Sequence, residues 1–93
     1  MNINFQSETH AYRHADNPNI IVLSGNGDPD VFIDVRKISM ISKPFGSWIG
    51  DIPVSVIGAV IDGDDVFIKV RRGYAENLFD ELYKLWNNVV YDE

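Results

Sequence analysis

"VSVIGAVIDGDDVFIKV", residues 54–70, decides the fold class. Two β-branched runs flank Asp62-Gly63, and Asp-Gly suits a two-residue type I′ hairpin because both central residues must take positive φ. The stretch reads as two antiparallel strands and a tight turn. Its three aspartates, Asp62, Asp64 and Asp65, also raise the question of a metal. A calcium loop of the EF-hand type started at Asp62 needs a ligand at position five, glycine at six and glutamate at twelve. Those positions hold Val66, Phe67 and Gly73, so the pattern fails. A hairpin tip also projects its carboxylates into water, which does not suit paired-carboxylate catalysis.

Downstream of the hairpin lies "GYAENLFDELYKLWNNVV", residues 73–90. Tyr74, Leu78, Leu82, Leu85, Trp86 and Val89 recur at spacings of three and four, which predicts an amphipathic helix with Glu76, Asp80, Glu81 and Lys84 on its polar side. Glu76 falls in the first turn, where the helix dipole favours an anion. Asn87-Asn88 is the expected end, leaving residues 89–93 as a tail.

Upstream, "NIIVLSGNG" (19–27) reads as a buried strand and a turn. "DVFIDVRKISMISK" (30–43) reads as a strand that breaks at a corner and resumes. "KPFGSWIGDIP" (43–53), with two prolines and two glycines, reads as a loop. Residues 1–19 read as a short strand near residues 3–5 and then an irregular segment. Strands followed by one helix, without βαβ alternation, predict an α+β domain over residues 1–93: a small antiparallel sheet of about 4–5 strands with the C-terminal helix on one face.

Composition narrows function mainly by exclusion. The chain has no cysteine, which removes disulfides, zinc–thiolate sites and thiol nucleophiles. With 14 acidic against 8 basic residues the net charge is −6, so direct nucleic-acid binding is not expected. No apolar run is long enough for a membrane span and no secretory signal is visible, so a cytoplasmic protein is expected. Gly25-x-Gly27 lacks the third glycine and the following helix of a dinucleotide fingerprint, and reads as a turn. His10 and His14 stand four apart without a completing carboxylate, and read as loop histidines rather than metal ligands. No serine sits in a nucleophile elbow. Neither a catalytic set, a metal site nor a cofactor is expected.

Two clusters remain. Phe45, Trp48 and Ile49 lie in the glycine-flanked segment, either as exposed interface anchors or folded back over the core. Arg71-Arg72 lies between a strand and a helix start, where guanidiniums and free backbone N–H groups suit an anion; the plain alternative is pairing with Glu76 or Asp80.

Residues 30–82 resemble the small FlbD-like proteins and small phage proteins of similar layout. The likeness rests on "VFIDVRKISMI", in which Asp34-Val35 leads to Ile38, on "VIDGDDVFIKV", and on "YAENLFDEL". The first thirty residues and the 43–53 segment depart from it. The resemblance implies a small sheet-plus-helix module without enzymatic activity. The leading expectation is a protein-binding module, an accessory or inhibitor protein of a phage or mobile element that occupies a larger partner's surface. Phe45, Trp48 and Ile49 would anchor it, and Asp51, Glu76, Asp80 and Glu81 would supply complementary charge. Alternatives are an acidic nucleic-acid mimic aimed at a basic protein, and a homo-oligomeric small-ligand or anion binder using Arg71 and Arg72. A homodimer or higher homo-oligomer is compatible with each, since a short sheet has edges to cover.

Overall fold

The Asp-Gly turn forms as the sequence requires: φ is +53° at Asp62 and +80° at Gly63 in a computed structural model that describes residues 1–88. It joins β7 (Ile52–Ile61) to β8 (Asp64–Arg71), which pair antiparallel from Ile61↔Asp64 to Val54↔Arg71. The other strands are β1 (Asn2–Asn4), β2 (Thr9–Arg13), β3 (Ile20–Gly25), β4 (Val31–Asp34), β5 (Ile38–Ile41) and β6 (Phe45–Ile49), and the helix is α1 (Ala75–Asn87). The α+β class holds.

The strands form two sheets rather than a single one of four or five. In the main sheet β1, β8 and β7 run side by side, and the far edge of β7 is shared by β6 along its first half and β5 along its second. The smaller sheet is β2-β3-β4. β1 pairs with β8 in parallel, where only antiparallel pairs were expected. The N-terminal segment is likewise more regular than its sequence suggests. In β2 only Thr9 and Ala11 are buried, so its apolar alternation is too faint to register.

The corner read in "DVRK" is where the chain changes sheets. A 3₁₀ turn at Val35–Lys37 separates β4 from β5, and the Asp34 side chain caps it by accepting from the Arg36 N–H. Gly25 to Asp28 is a turn as expected: the Asp28 N–H reaches the Gly25 carbonyl at 3.3 Å, with Gly27 at φ +86°. Where β5 gives way to β6, Ser42 closes the gap. Its N–H donates to the Gly58 carbonyl at 2.7 Å, and its hydroxyl accepts from the Gly58 N–H at 2.9 Å.

The core lies between the two sheets and the helix. Ile57, Val66, Ile68 and Val70 meet Ile21, Leu23 and Ile33, with Leu78 and Leu82 entering from α1. The Trp86 indole donates to the Ile38 carbonyl at 3.2 Å, pinning the later turns of α1 to β5. Tyr74, expected in the apolar stripe, is instead the exposed residue at the helix N-cap. Val89 and the tail lie outside the described residues.

Candidate protein-binding face

Successive strand residues face opposite sides, so register shows what the main sheet presents away from the core. Ile57 and Ile68 are paired core residues, so their neighbours Val54, Val56, Gly58 and Val60 of β7, and Phe67, Lys69 and Arg71 of β8, point outward. Phe45, Ser47 and Ile49 of β6 pair with Val56, Val54 and Ile52, and Met40 of β5 pairs with Val60, on this same side. A continuous apolar stripe results, with Met40, Phe45, Ile49, Ile52 and Phe67 exposed at its surface. Val54 and Val56 are only 3% and 2% exposed yet stand outside the central core cluster, so flanking side chains shield them. Lys69 and Arg71 rim the stripe toward β1. Among the described residues, neither α1 nor the smaller sheet packs on this side.

The 43–53 segment is therefore not a loop. It supplies β6 and a two-residue turn, Gly50-Asp51, with Gly50 at φ +59°. Glycine at the first central position with positive φ there alone is the type II′ pattern, the second hairpin geometry that matches strand twist. Pro53 stands opposite Trp48, a position that needs no N–H for the β6 ladder.

Arg72 locks this hairpin to β8. Its Nη2 donates to the Ser47 carbonyl at 3.1 Å and its Nε to the Val54 carbonyl at 3.4 Å. The guanidinium carbon sits 5.0 Å from the Trp48 ring centroid, a cation–π contact. A Cβ at Gly46 would lie 3.2 Å from Arg72 Nη2, so a side chain there would press on the guanidinium.

The predicted site residues divide. Phe45, half exposed, and Ile49 belong to the outward stripe; Trp48, 60% exposed, lies across Arg72 with the opposite strand parity. Asp51 is at the hairpin tip. Glu76 and Asp80 line a shallow depression of about 270 Å³ with Lys43, Pro44 and Phe79, beside the helix. Glu81 faces His10, whose Nδ1 is 3.1 Å away, while His10 Nε2 is 3.2 Å from Glu8. The hydrogen bond and charge of Glu81, aided by Glu8, raise the His10 pKa above its usual value. Arg71 and Arg72 lie in different surroundings. Arg71 borders a groove with Ile49, Ile52 and Val54, whereas Arg72 is committed to two carbonyls and Trp48. Neither forms an ion pair with Glu76 or Asp80. Asp34 and Arg36 form a local bidentate pair, which holds the Asp34 carboxyl below the usual range.

Met40, Ile52, Val54, Val56, Phe67 and Lys69 belong to this face and escaped the sequence reading. A signal existed: residues 52–61 are apolar at both parities, the pattern of a strand covered on both sides. Among the described residues, no cluster of three His, Asp or Glu side chains could hold a metal, and no helix is long and apolar enough to cross a membrane. Searches against protein-family models, curated proteins and solved structures gave no match.

Proposed function

We propose that the chain is a non-enzymatic, cytoplasmic protein-binding module that lays the outer face of its main sheet on a larger partner. The observation that carries this reading is the stripe from Met40 through Phe45 to Ile49 and Ile52, joined by Phe67 and left exposed among the described residues. Contiguous exposed apolar surface of this kind marks interfaces, and aromatic side chains are favoured anchors. On β8 the stripe is rimmed by Lys69 and Arg71 with the exposed Asp65 on the same face, a mixed rim that lacks the uniform acidity of a nucleic-acid mimic. The ionisable groups that do meet, His10 with its two glutamates and Asp34 with Arg36, form surface ion pairs rather than a nucleophile and base. The setting of a phage or mobile-element accessory or inhibitor protein rests on the resemblance of residues 30–82, not on the fold.

The test compares tagged wild type with Phe45→Glu and Phe67→Glu as baits, after circular dichroism has shown each variant folded. A partner retained by wild type and lost by both variants is expected. Retention undiminished by either charge would overturn the assignment of this face.

A further inference from the structure

β6 is a sheet edge with none of the usual protections. It has five residues, Phe45–Ile49, none of them charged and none proline, and it carries no bulge. The other edges are better guarded. β1 is three residues long and contributes two asparagines, β5 already gives its Ile38 carbonyl to Trp86, β2 is flanked by α1, and β4 is four residues long and ends in the charged Asp34. Because Ile49 and Ile52 flank a two-residue turn, they form a hydrogen-bonded pair. Ladder alternation then turns the N–H and C=O of Phe45, Ser47 and Ile49 toward β7, and those of Gly46 and Trp48 outward. Pro53 opposite Trp48 is consistent with that assignment.

We infer that β6 pairs antiparallel with β6 of a second copy of this chain, about a two-fold axis at Ser47. This deepens the reading above, because it names what covers the edge of the proposed face and rests on that face remaining exposed. The register follows from the outward groups. Gly46 opposite the partner's Trp48, taken twice by symmetry, satisfies all four free N–H and C=O sites with four hydrogen bonds.

The side chains fit the same register. The partner's Trp48 falls beside Gly46, the bare position against which Arg72 already lies, where an aromatic ring can cover a glycine across a strand pair. Phe45 falls opposite the partner's Ile49 on the outward side, joining the two apolar stripes into one. Beyond the strand ends, Lys43 comes alongside the partner's Asp51, so the charges that flank the strand are complementary in the pairing. Ser47 meets its own copy, a small polar residue at the one place where any charge would oppose itself.

Light scattering coupled to size exclusion, over a concentration series from micromolar to near-millimolar, reads the association. The mass should climb from 10.5 kDa toward twice that value. Ser47→Lys, which sets like charges opposite each other on the axis, should remain at the protomer mass throughout. Because the chain has no cysteine, Ser47→Cys introduces a single thiol. Non-hydrogen-bonded partners have Cα atoms about 4.5 Å apart, inside the range of about 4.4–6.8 Å that a disulfide spans. Mild oxidation should therefore link Ser47→Cys into a covalent dimer much faster than Ala15→Cys, a control in the exposed loop between β2 and β3. A wild type at protomer mass at every concentration overturns the inference. So does a Ser47→Lys protein that still dimerises, or equal cross-linking of the two cysteine variants. Phe67→Glu lies on β8, away from the β6 edge, and should lose the larger partner while still self-pairing, so failure of self-pairing and failure of the binding reading are separately visible.

Discussion

The two faces of β7 are built from much the same residues and end in different situations. Toward the core, Ile57 is wholly enclosed by side chains of the smaller sheet and α1. Away from it, Val54 and Val56 are almost as inaccessible but stand outside that cluster, with Phe45, Lys69 and Arg71 as their same-face neighbours across the strands. Low exposure alone therefore does not identify the core. What differs is whether the covering groups belong to packed elements or to a surface free to rearrange, and that distinction fixes how each face answers mutation.

The largest expected effect is on the enclosed side. Ile57→Ala or Leu82→Ala should cost about 2–5 kcal/mol, because the rigid surround leaves a cavity. For a domain of this size each kcal/mol lowers the melting temperature by roughly 4–8 °C, so a thermal melt resolves it. Val56→Ala should cost much less, since the covering side chains can settle into the space. If Val56→Ala proved as damaging as Ile57→Ala, the outer face would be closed by packing and not by a mobile cover, and the comparison would break.

A second test sits at the seam between β5 and β6. Ser42→Ala removes the acceptor of the Gly58 N–H, and an unsatisfied buried donor costs about 1–3 kcal/mol. Gly58→Ala attacks the same clasp from the other side: its Cβ would stand 3.0 Å from the Ser42 hydroxyl, which must then move. Because both changes disturb one contact, the double variant should lose less than the two single losses together in denaturant melts.

That seam also marks where sequence reading stops. The Asp62-Gly63 turn was legible because its φ requirement is local and its residues are diagnostic. The α1 periodicity and the break at "DVRK" were legible for the same reason. β6 was not, because Gly46, Ser47 and the flanking prolines and glycines give it a loop's composition. Its strand character comes from Val54, Val56 and Arg72 across the sheet, contacts that only the folded chain supplies. The parallel pairing of β1 was similarly beyond local signals: it joins residues more than sixty positions apart, as Asn2↔Phe67. Of the candidate face, the segment that carries Phe45 and Trp48 stood out in the sequence, with exposure and cover over the core as equal alternatives, whereas the surrounding sheet face depended on register.

Trp48→Ala tests the hairpin lock at a smaller scale. A cation–π contact at an exposed site contributes about 0.5–1 kcal/mol, and the two Arg72 hydrogen bonds to carbonyls remain in this variant. The expected loss is a melting-temperature change of a few degrees, well below that of Ile57→Ala. A loss comparable to Ile57→Ala would mean that the indole belongs to the core and not to the surface arm.

The smallest effect concerns His10 of β2, which faces Glu81 of α1. Both ring nitrogens face carboxylates, Nδ1 toward Glu81 and Nε2 toward Glu8, so the doubly protonated ring is favoured. Its folded-state pKa is raised above the usual 6.5, chiefly by the Glu81 hydrogen bond and charge. The proton is therefore held more tightly by the folded chain than by the unfolded one. The stabilisation is fully present below the unfolded pKa and is lost as pH rises through the folded value. His10 is half exposed, so solvent and salt screen the pair, and only a few tenths of a kcal/mol is expected. Denaturant melts of wild type and His10→Gln on either side of that window should differ in slope against pH, with the difference shrinking at high salt. A wild-type slope that Glu81→Gln leaves intact would show that the His10–Glu81 pair adds nothing to the β2–α1 contact, which then rests on Ala11, Leu78 and Leu82 and on the bond from the Arg13 guanidinium to the Asn88 carbonyl.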